Sequence, residues 1–180
     1  MKMTVKIIIG VLIALFLFVF VARKTSSTVN VSRTFNAPAD KVWKVWNDVE
    51  SMKKWWGPKD YTAPVIKNDF RAGGTFLLSM KSPGGEMFWN SGTYKEIIPG
   101  KKIVSMMAFS DENGKPVPGS EVKVPGVWPD EISVTVEFKE SNGKTEVTVE
   151  EVGIPFLMKL MAKLGWEQQF DKLETLFFPN

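Results

Sequence analysis

The chain has 180 residues, with 23 basic and 20 acidic side chains, a formal charge of +3, and neither histidine nor cysteine. These two absences exclude disulfides, thiolate zinc sites, imidazole-ligated metals, a cysteine nucleophile and a Ser–His–Asp triad. A metal site made of carboxylates alone would need a cluster of Asp and Glu, and the sequence shows none, so we expect no metal and no other cofactor. The length suits one domain with a small appendage, and 44% apolar residues are ample for its core.

An apolar segment of sixteen uncharged residues, Ile7–Ala22, lies near the N-terminus. As a helix it would be about 24 Å long, and adding Val5 with a snorkelling Lys6 brings it close to the ~30 Å hydrocarbon core of a bilayer. We therefore predict an uncleaved single-pass membrane anchor. The short N-terminal tail favours a domain outside the cytoplasm, with the cytoplasmic face as the alternative. A cleaved signal peptide and a buried soluble helix are the alternatives, and the former is disfavoured because Arg23 and Lys24 directly follow the apolar segment.

The predicted organisation is an anchor with its flanks at 1–24, a linker at 25–28 and one folded domain at 29–180. The charge divides unevenly between these parts, because four basic residues lie in or beside the anchor. From Thr25 onward, 19 basic residues stand against 20 acidic residues, which gives this part a net charge of −1. Without a basic domain, nucleic-acid binding loses its main support, and we expect no nucleic-acid partner.

The folded domain begins with a strand, two short helices and a series of strands. Alternation predicts the first strand at Val29–Phe35, Pro38 begins the first helix, and the second helix, Glu50–Trp56, is stopped by Gly57-Pro58. Turn signals close each of the later strands, which are predicted at Tyr61–Phe70, Thr75–Lys81, Met87–Ile98, Lys102–Ser110, Glu131–Glu140 and Lys144–Val152. Ser141-Asn142-Gly143 marks a hairpin between the last two.

The C-terminal segment is predicted to be helical from Ile154-Pro155 onward, with a bend or break at Gly165. Beyond that glycine, an apolar stripe recurs at helical spacing: Trp166, Phe170, Leu173 and Phe177. Such a stripe needs a surface to bury against, and the covered face of the sheet is the obvious one.

Five motifs make the order of these elements specific; they lie at 33–43, 55–58, 70–74, 92–99 and 165–173. The first, Arg33 to Trp43, resembles the opening of the START/SRPBCC superfamily. The other four resemble its branch named after the activator of the heat-shock-protein-90 ATPase, which includes polyketide cyclase-like proteins. The resemblance runs from about Val29 to Phe177.

The resemblance implies an α+β helix-grip fold: a curved antiparallel sheet of about seven strands around a long C-terminal helix, with a cavity between them. It does not fix an activity, because this fold hosts many. Two features depart from the family pattern. One is the predicted transmembrane helix that precedes the domain, and the other is the loop Glu112–Asp130, which is longer than the family usually carries.

Candidate ligand-binding residues are the aromatic, Met, Leu and small polar side chains expected to line this cavity. They are Trp46, Trp55, Trp56, Phe76, Leu78, Met80, Phe88, Asn90, Tyr94, Met106, Trp128, Trp166 and Phe170. Met and aromatic linings are adaptable and suit an apolar guest, with Asn90, Tyr94 and Arg71 as candidate polar anchors. An ordinary packed core uses the same residue types.

We therefore expect a membrane-tethered binding protein for an apolar small molecule or lipid, with any protein partner unknown. The first alternative is a cyclase- or hydrolase-like enzyme, which needs an acid or base inside the cavity. No catalytic residue is assigned, because the candidate acids form no recognisable pair, and Glu150 and Glu151 point to opposite faces of a strand. The second alternative is a module that assists a chaperone ATPase, which requires a cytoplasmic domain.

Overall fold

The computed structural model describes residues 25–177. The strands are β1 (Ser26–Phe35), β2 (Ile66–Asn68), β3 (Thr75–Lys81), β4 (Met87–Ile98), β5 (Lys102–Phe109), β6 (Ile132–Ser141) and β7 (Lys144–Pro155). The helices are α1 (Ala39–Asn47), α2 (Val49–Trp55) and α3 (Lys159–Glu174), and a 3-10 turn, Phe156–Met158, precedes α3.

All seven strands form one antiparallel sheet in the order β1-β7-β6-β5-β4-β3-β2. The chain therefore winds from β2 to β7 between neighbouring strands, and β1 closes the far edge beside β7. The predicted α+β architecture, a seven-stranded sheet with a long C-terminal helix, is confirmed. The predicted hairpin is also present: Ser141 pairs with Lys144, and the intervening Asn142 and Gly143 both have positive φ, as its two-residue turn requires.

Two short helices connect β1 to β2 and are separated only by Asp48. This residue caps α2, because its carboxylate accepts a 2.8 Å hydrogen bond from the backbone N–H of Ser51. Hydrogen bonds from Ser51 hold the pKa of Asp48 below its ordinary value. The turn that follows α2 begins at Gly57, whose φ of +93° suits glycine and ends the helix.

Strand β2 is much shorter than the predicted strand Tyr61–Phe70. Pro64 lies in the middle of that segment and has no N–H to donate to a neighbouring strand. The next residue, Val65, bonds instead to the Ser79 hydroxyl, which accepts from its N–H at 2.8 Å and donates to its carbonyl at 3.0 Å. Regular pairing therefore starts only at Ile66.

Helix α3 is continuous through Gly165, so the predicted break there is wrong. Glycine costs a helix only about 1 kcal/mol relative to alanine, and burial of the following stripe outweighs it. That stripe, Trp166, Phe170, Leu173 and Phe177, is buried in the core. Beside the stripe, Arg33 of β1 forms ion pairs with Glu167, Asp171 and Glu174.

The membrane location predicted from the sequence is corrected by the helices of the structure. Within residues 25–177, none of them combines the length and the apolar character that a membrane crossing needs. The segment Ile7–Ala22, on which the prediction rested, lies outside the described residues.

Candidate functional site

Two indoles divide the space between the sheet and α3. The rings of Trp56 and Trp166 lie 6.0 Å apart at an interplanar angle of 82°. Both residues line each of two separate spaces in the interior. On one side the interior is filled except for a void of about 50 Å³; we call this side, around Trp46, Trp55 and Tyr94, the packed end. On the other side lies a cavity of about 360 Å³, which we call the open end.

Side chains from the sheet, α3 and two connecting segments line the open end. Strands β4 and β5 contribute Phe88, Asn90, Met107, Ala108 and Phe109, α3 contributes Met161, Ala162, Gly165, Trp166 and Gln169, and the loop 110–131 contributes Lys123, Val124, Pro125, Trp128 and Pro129. The long loop is therefore part of the cavity wall. Its Trp128 packs edge-on against Phe109, with ring centroids 5.0 Å apart, and its indole N–H donates to the carbonyl of Pro125.

The turn at 56–61 forms another wall and is held by polar side chains of α3. The ammonium group of Lys172 donates to backbone carbonyls of this turn, at 2.9 Å to Gly57 and 3.0 Å to Tyr61. Gln169 accepts from the N–H of Gly57 at 3.0 Å. Burial lowers the pKa of Lys172, and the charge of Asp60 acts in the opposite direction. The dividing residue Trp56 is thus fixed to α3 through the turn that follows it.

Gly165 leaves room in the helical wall of the open end. A Cβ atom at this position would meet only Pro58, whose Cγ would be 3.9 Å away. The neighbouring Ala162 is also small and borders the same cavity. Trp166 directly follows Gly165, is buried and lines both the cavity and the packed end. The interior therefore changes from filled to open within one turn of α3.

A buried carboxylate, Glu151, lies in the wall of the open end. Along β7, Thr145, Val147 and Val149 are fully buried on the face towards the core, and the period of two places Glu151 on the same face. Only 6% of Glu151 is exposed. Burial raises its pKa from 4.5 to about 7, and a hydrogen bond from the Trp166 side chain acts in the opposite direction.

The structure brings six of the thirteen predicted site residues together around the open end. They are Trp56, Met80, Phe88, Asn90, Trp128 and Trp166. Five others border the small void of the packed end: Trp46, Trp55, Phe76, Leu78 and Tyr94. Trp46 and Trp55 contact each other with ring centroids 4.8 Å apart, and their surroundings are aromatic core.

The remaining two predicted residues border neither space. Phe170 is completely buried and packs edge-on against Phe35, with ring centroids 5.7 Å apart. Met106 lies on the opposite face of β5 from Met107, because adjacent strand residues alternate, and it is Met107 that borders the open end. Because Met106 and Met107 are adjacent and of the same type, the local sequence does not indicate which of them faces the cavity.

The three predicted polar anchors, Asn90, Tyr94 and Arg71, also lie in different places. The Tyr94 hydroxyl donates to Asn68 at 2.8 Å within the packed end, and burial raises its pKa well above the ordinary value. Arg71 pairs with Asp69 at 2.9 Å, and its side chain is 69% exposed. Of the three, only Asn90 borders the open end.

Sequence reasoning passed over Glu151 and Gln169, the buried polar groups that the structure adds to the open end. The signal for Glu151 was present, because the buried face of β7 follows from Val147 and Val149 two and four residues earlier. Gln169 lies between the stripe residues Trp166 and Phe170 of α3. The apolar periodicity of the stripe gives no sign that this polar residue is also buried. No cluster of Asp or Glu within residues 25–177 is arranged to hold a metal ion.

This arrangement, a single antiparallel sheet gripping a long C-terminal helix with a cavity between them, defines a helix-grip protein of the SRPBCC type. Residues 36–177 match the family described as Activator of Hsp90 ATPase homolog 1-like protein, and the chain belongs to that family. A comparison with curated proteins finds no match.

Solved structures with the same fold come from several bacteria. Protein CV1439 from Chromobacterium violaceum is 22% identical, with a TM-score of 0.71 over 85% of this chain and 98% of that one. The AHSA1 protein from Silicibacter pomeroyi is 18% identical, with a TM-score of 0.68 over 84% and 97%. CalU16 from Micromonospora echinospora is 20% identical, with a TM-score of 0.61 over 86% and 78%. At these identities the likeness shows the fold alone.

Proposed function

We propose that the protein binds an apolar small molecule in the open end of its interior. The observation that carries this proposal is the cavity of about 360 Å³ between the sheet and α3. Its volume lies at the lower end of the range of about 300–1,000 Å³ that is typical of small-ligand sites. The size favours a compact ring system or a single acyl chain over a lipid with two chains.

The chemistry of the wall supports the same function. Aromatic side chains, methionines and prolines make up most of it, with Met80, Met107, Met158 and Met161 among them. Methionine side chains are flexible and polarizable, so they adapt to guests of different shape. A few polar groups in an apolar wall, here Asn90, Glu151 and Gln169, orient a ligand.

A test should block the cavity without disturbing the fold. Gly165→Leu places a side chain into the open end from a position with free space, and Ala162→Leu does so one turn earlier. Lys163→Leu adds the same side chain at an exposed position of α3 and is the matched control. The full-length protein and these variants would be titrated calorimetrically with 1-naphthylmethanol, a neutral apolar probe, and screened for co-purified ligands by native mass spectrometry.

We expect the wild type and Lys163→Leu to bind the probe alike, and either cavity-filling variant to bind it roughly tenfold more weakly or worse, because its side chain occupies the same space. Equal affinity in all four proteins would contradict the proposal, as would the absence of any binding by the wild type together with the absence of a co-purified ligand.

An enzyme is the second candidate, and one observation favours it. The open end contains an acid, Glu151, whose pKa is raised by burial to about 7, which suits a general acid or base at neutral pH. A cyclase- or hydrolase-like reaction on an apolar substrate would use this carboxyl group. Its signature would be turnover that Glu151→Gln abolishes while 1-naphthylmethanol still binds.

A further inference from the structure

Within residues 25–177, Glu151 has no partner of opposite charge. None of the ion pairs among the described residues includes it, although only 6% of the residue is exposed. Its cross-strand neighbours, Val29 of β1 and Val134 of β6, are both apolar. A buried carboxylate without a counter-charge is costly, so this position calls for a reason other than stability.

The charged and titratable groups that share the cavity are few. Besides Glu151, the lining residues of this kind are Lys123 from the long loop and Tyr61 from the turn after α2. Helix α3 presents Trp166 and Gln169, which are uncharged. Lys123 is exposed and forms no ion pair with Glu151 among the described residues. The inner part of the open end is therefore negative whenever Glu151 is ionised.

Aromatic rings surround the same space. Trp56, Tyr61, Phe88, Trp128 and Trp166 all border it, and the negative faces of aromatic rings attract organic cations. A carboxylate in an apolar wall that contains several aromatic rings is a combination that recognises a protonated amine on an apolar body. A carboxylic acid ligand would instead bring a second negative charge next to Glu151.

We infer that the ligand of the open end is an apolar amine, whose protonated nitrogen pairs with Glu151 while its apolar body lies against the aromatic wall. This inference rests on the proposed function and names the chemical class of the ligand. The amine supplies the positive charge that no described residue places beside Glu151. An alcohol of the same shape fills the cavity and can donate a hydrogen bond, but it leaves the carboxylate without a counter-charge.

Three probes with the same ring system separate the possibilities: 1-naphthylmethylamine, 1-naphthylmethanol and 1-naphthoic acid. Each would be titrated into the full-length protein at pH 8, where Glu151 is mostly ionised and the amine is still largely protonated. The variant is Glu151→Gln, which keeps the shape and removes the charge. The matched control is Glu150→Gln, which makes the same change on the opposite face of β7.

We expect the amine to bind roughly tenfold more tightly than the alcohol, because only the amine gives Glu151 a charge-assisted hydrogen bond from a cation. The acid should bind most weakly, because its carboxylate brings a second negative charge next to Glu151. Glu151→Gln should make the amine and the alcohol nearly equal, and Glu150→Gln should leave the preference intact. Lowering the pH from 8 to 6 should also reduce the preference for the amine, because Glu151 takes up a proton in this interval while the amine keeps its own.

Equal binding of the amine and the alcohol to the wild type would overturn the inference and leave the proposed function standing. The same holds for a preference for the amine that survives Glu151→Gln. If none of the three probes binds and no ligand co-purifies, the proposed function fails as well, so the two failures are distinguishable. The comparison of probes on the wild type remains decisive if the variant does not fold.

Discussion

The packed end and the open end of the interior are built from the same sheet and the same helix, yet one is solid and the other is hollow. In the C-terminal half of α3, Phe170 and Leu173 are completely buried in the core. At the open end the residues that α3 contributes to the wall include Ala162 and Gly165, which are small. Trp56 and Trp166 form the boundary. Small residues of α3 thus accompany the change from packed core to cavity, and the turn 56–61 and the long loop complete the wall of the cavity.

The polar groups of the two ends differ in whether they have partners within the protein. At the packed end they are paired within the protein: the Trp55 indole donates to the carbonyl of Val45, and Tyr94 donates to Asn68. At the open end Glu151 faces the cavity without a counter-charge among the described residues. The polar groups of the packed end thus contribute to stability, whereas the Glu151 carboxylate at the open end remains available to a ligand.

The largest expected effect contrasts a phenylalanine of the core with one at the open end. Phe170→Ala removes a completely buried ring and should lower the free energy of unfolding by about 3–5 kcal/mol. Phe88→Ala removes a half-buried ring that already borders the cavity, so it should cost only about 1–2 kcal/mol. Urea denaturation measures both, and Phe170→Leu serves if the alanine variant does not fold. Equal costs at the two positions would contradict the division of the interior.

The next effect concerns Glu151 and pH. Because its pKa is about 7 in the folded protein and 4.5 ordinarily, the folded state binds more protons between these values, and its stability falls as the pH rises through that window. Glu151→Gln should therefore be more stable than the wild type at pH 8, by up to about 3 kcal/mol, and equally stable near pH 4. Glu150→Gln is the control. A constant difference between Glu151→Gln and the wild type across this range would show that Glu151 is not buried as described.

A smaller effect is expected at the boundary between the two ends. Lys172→Met keeps the apolar stem but removes the ammonium group that binds the carbonyls of Gly57 and Tyr61. The loss should be about 2 kcal/mol, since hydrogen bonds to a charged group are worth about 1.5–3 kcal/mol. Hydrogen exchange should accelerate in the turn 56–61 more than in β6 and β7. Uniform acceleration across the domain would mean that Lys172 does not act through this turn.

The smallest effect is a gain in stability. Gly165→Ala adds a methyl group into free space within α3 and should raise the free energy of unfolding by about 0.5–1 kcal/mol, because glycine is a poor helix former. Thermal denaturation measures the change, and Lys163→Ala on the exposed face of the same helix is the control. A loss of stability would indicate that the cavity wall beside Gly165 is closed.

Much of the sheet could be predicted from the sequence because turn residues bound its strands. Thr75–Lys81 and Met87–Ile98 have the predicted limits, set by Gly73-Gly74, Pro83-Gly84-Gly85 and Pro99-Gly100. The strand predicted at 61–70 is wrong over most of its length, because the proline in its middle prevents regular pairing despite the favourable composition. Local signals of this kind are strong wherever a turn demands glycine or proline.

The cavity was less predictable, because it depends on how separate segments meet. Sequence periodicity places Phe76 and Met80 on the same face of β3, yet Phe76 borders the packed end and Met80 the open end. Which of the two a residue reaches depends on where α3, the turn 56–61 and the long loop lie above the strand. Alternation predicts only that Glu150 and Glu151 lie on opposite faces of β7; the structure shows that Glu151 is the one that borders the cavity.

The binding site is tested most directly by a crystal structure of the full-length protein soaked with 1-naphthylmethanol. We expect density for the naphthalene ring between α3 and strands β4 and β5, in contact with Gly165, Met107 and Trp128. Saturating probe that binds only elsewhere, or a cavity filled by the protein's own side chains, would contradict the claim that this end of the interior is a binding site.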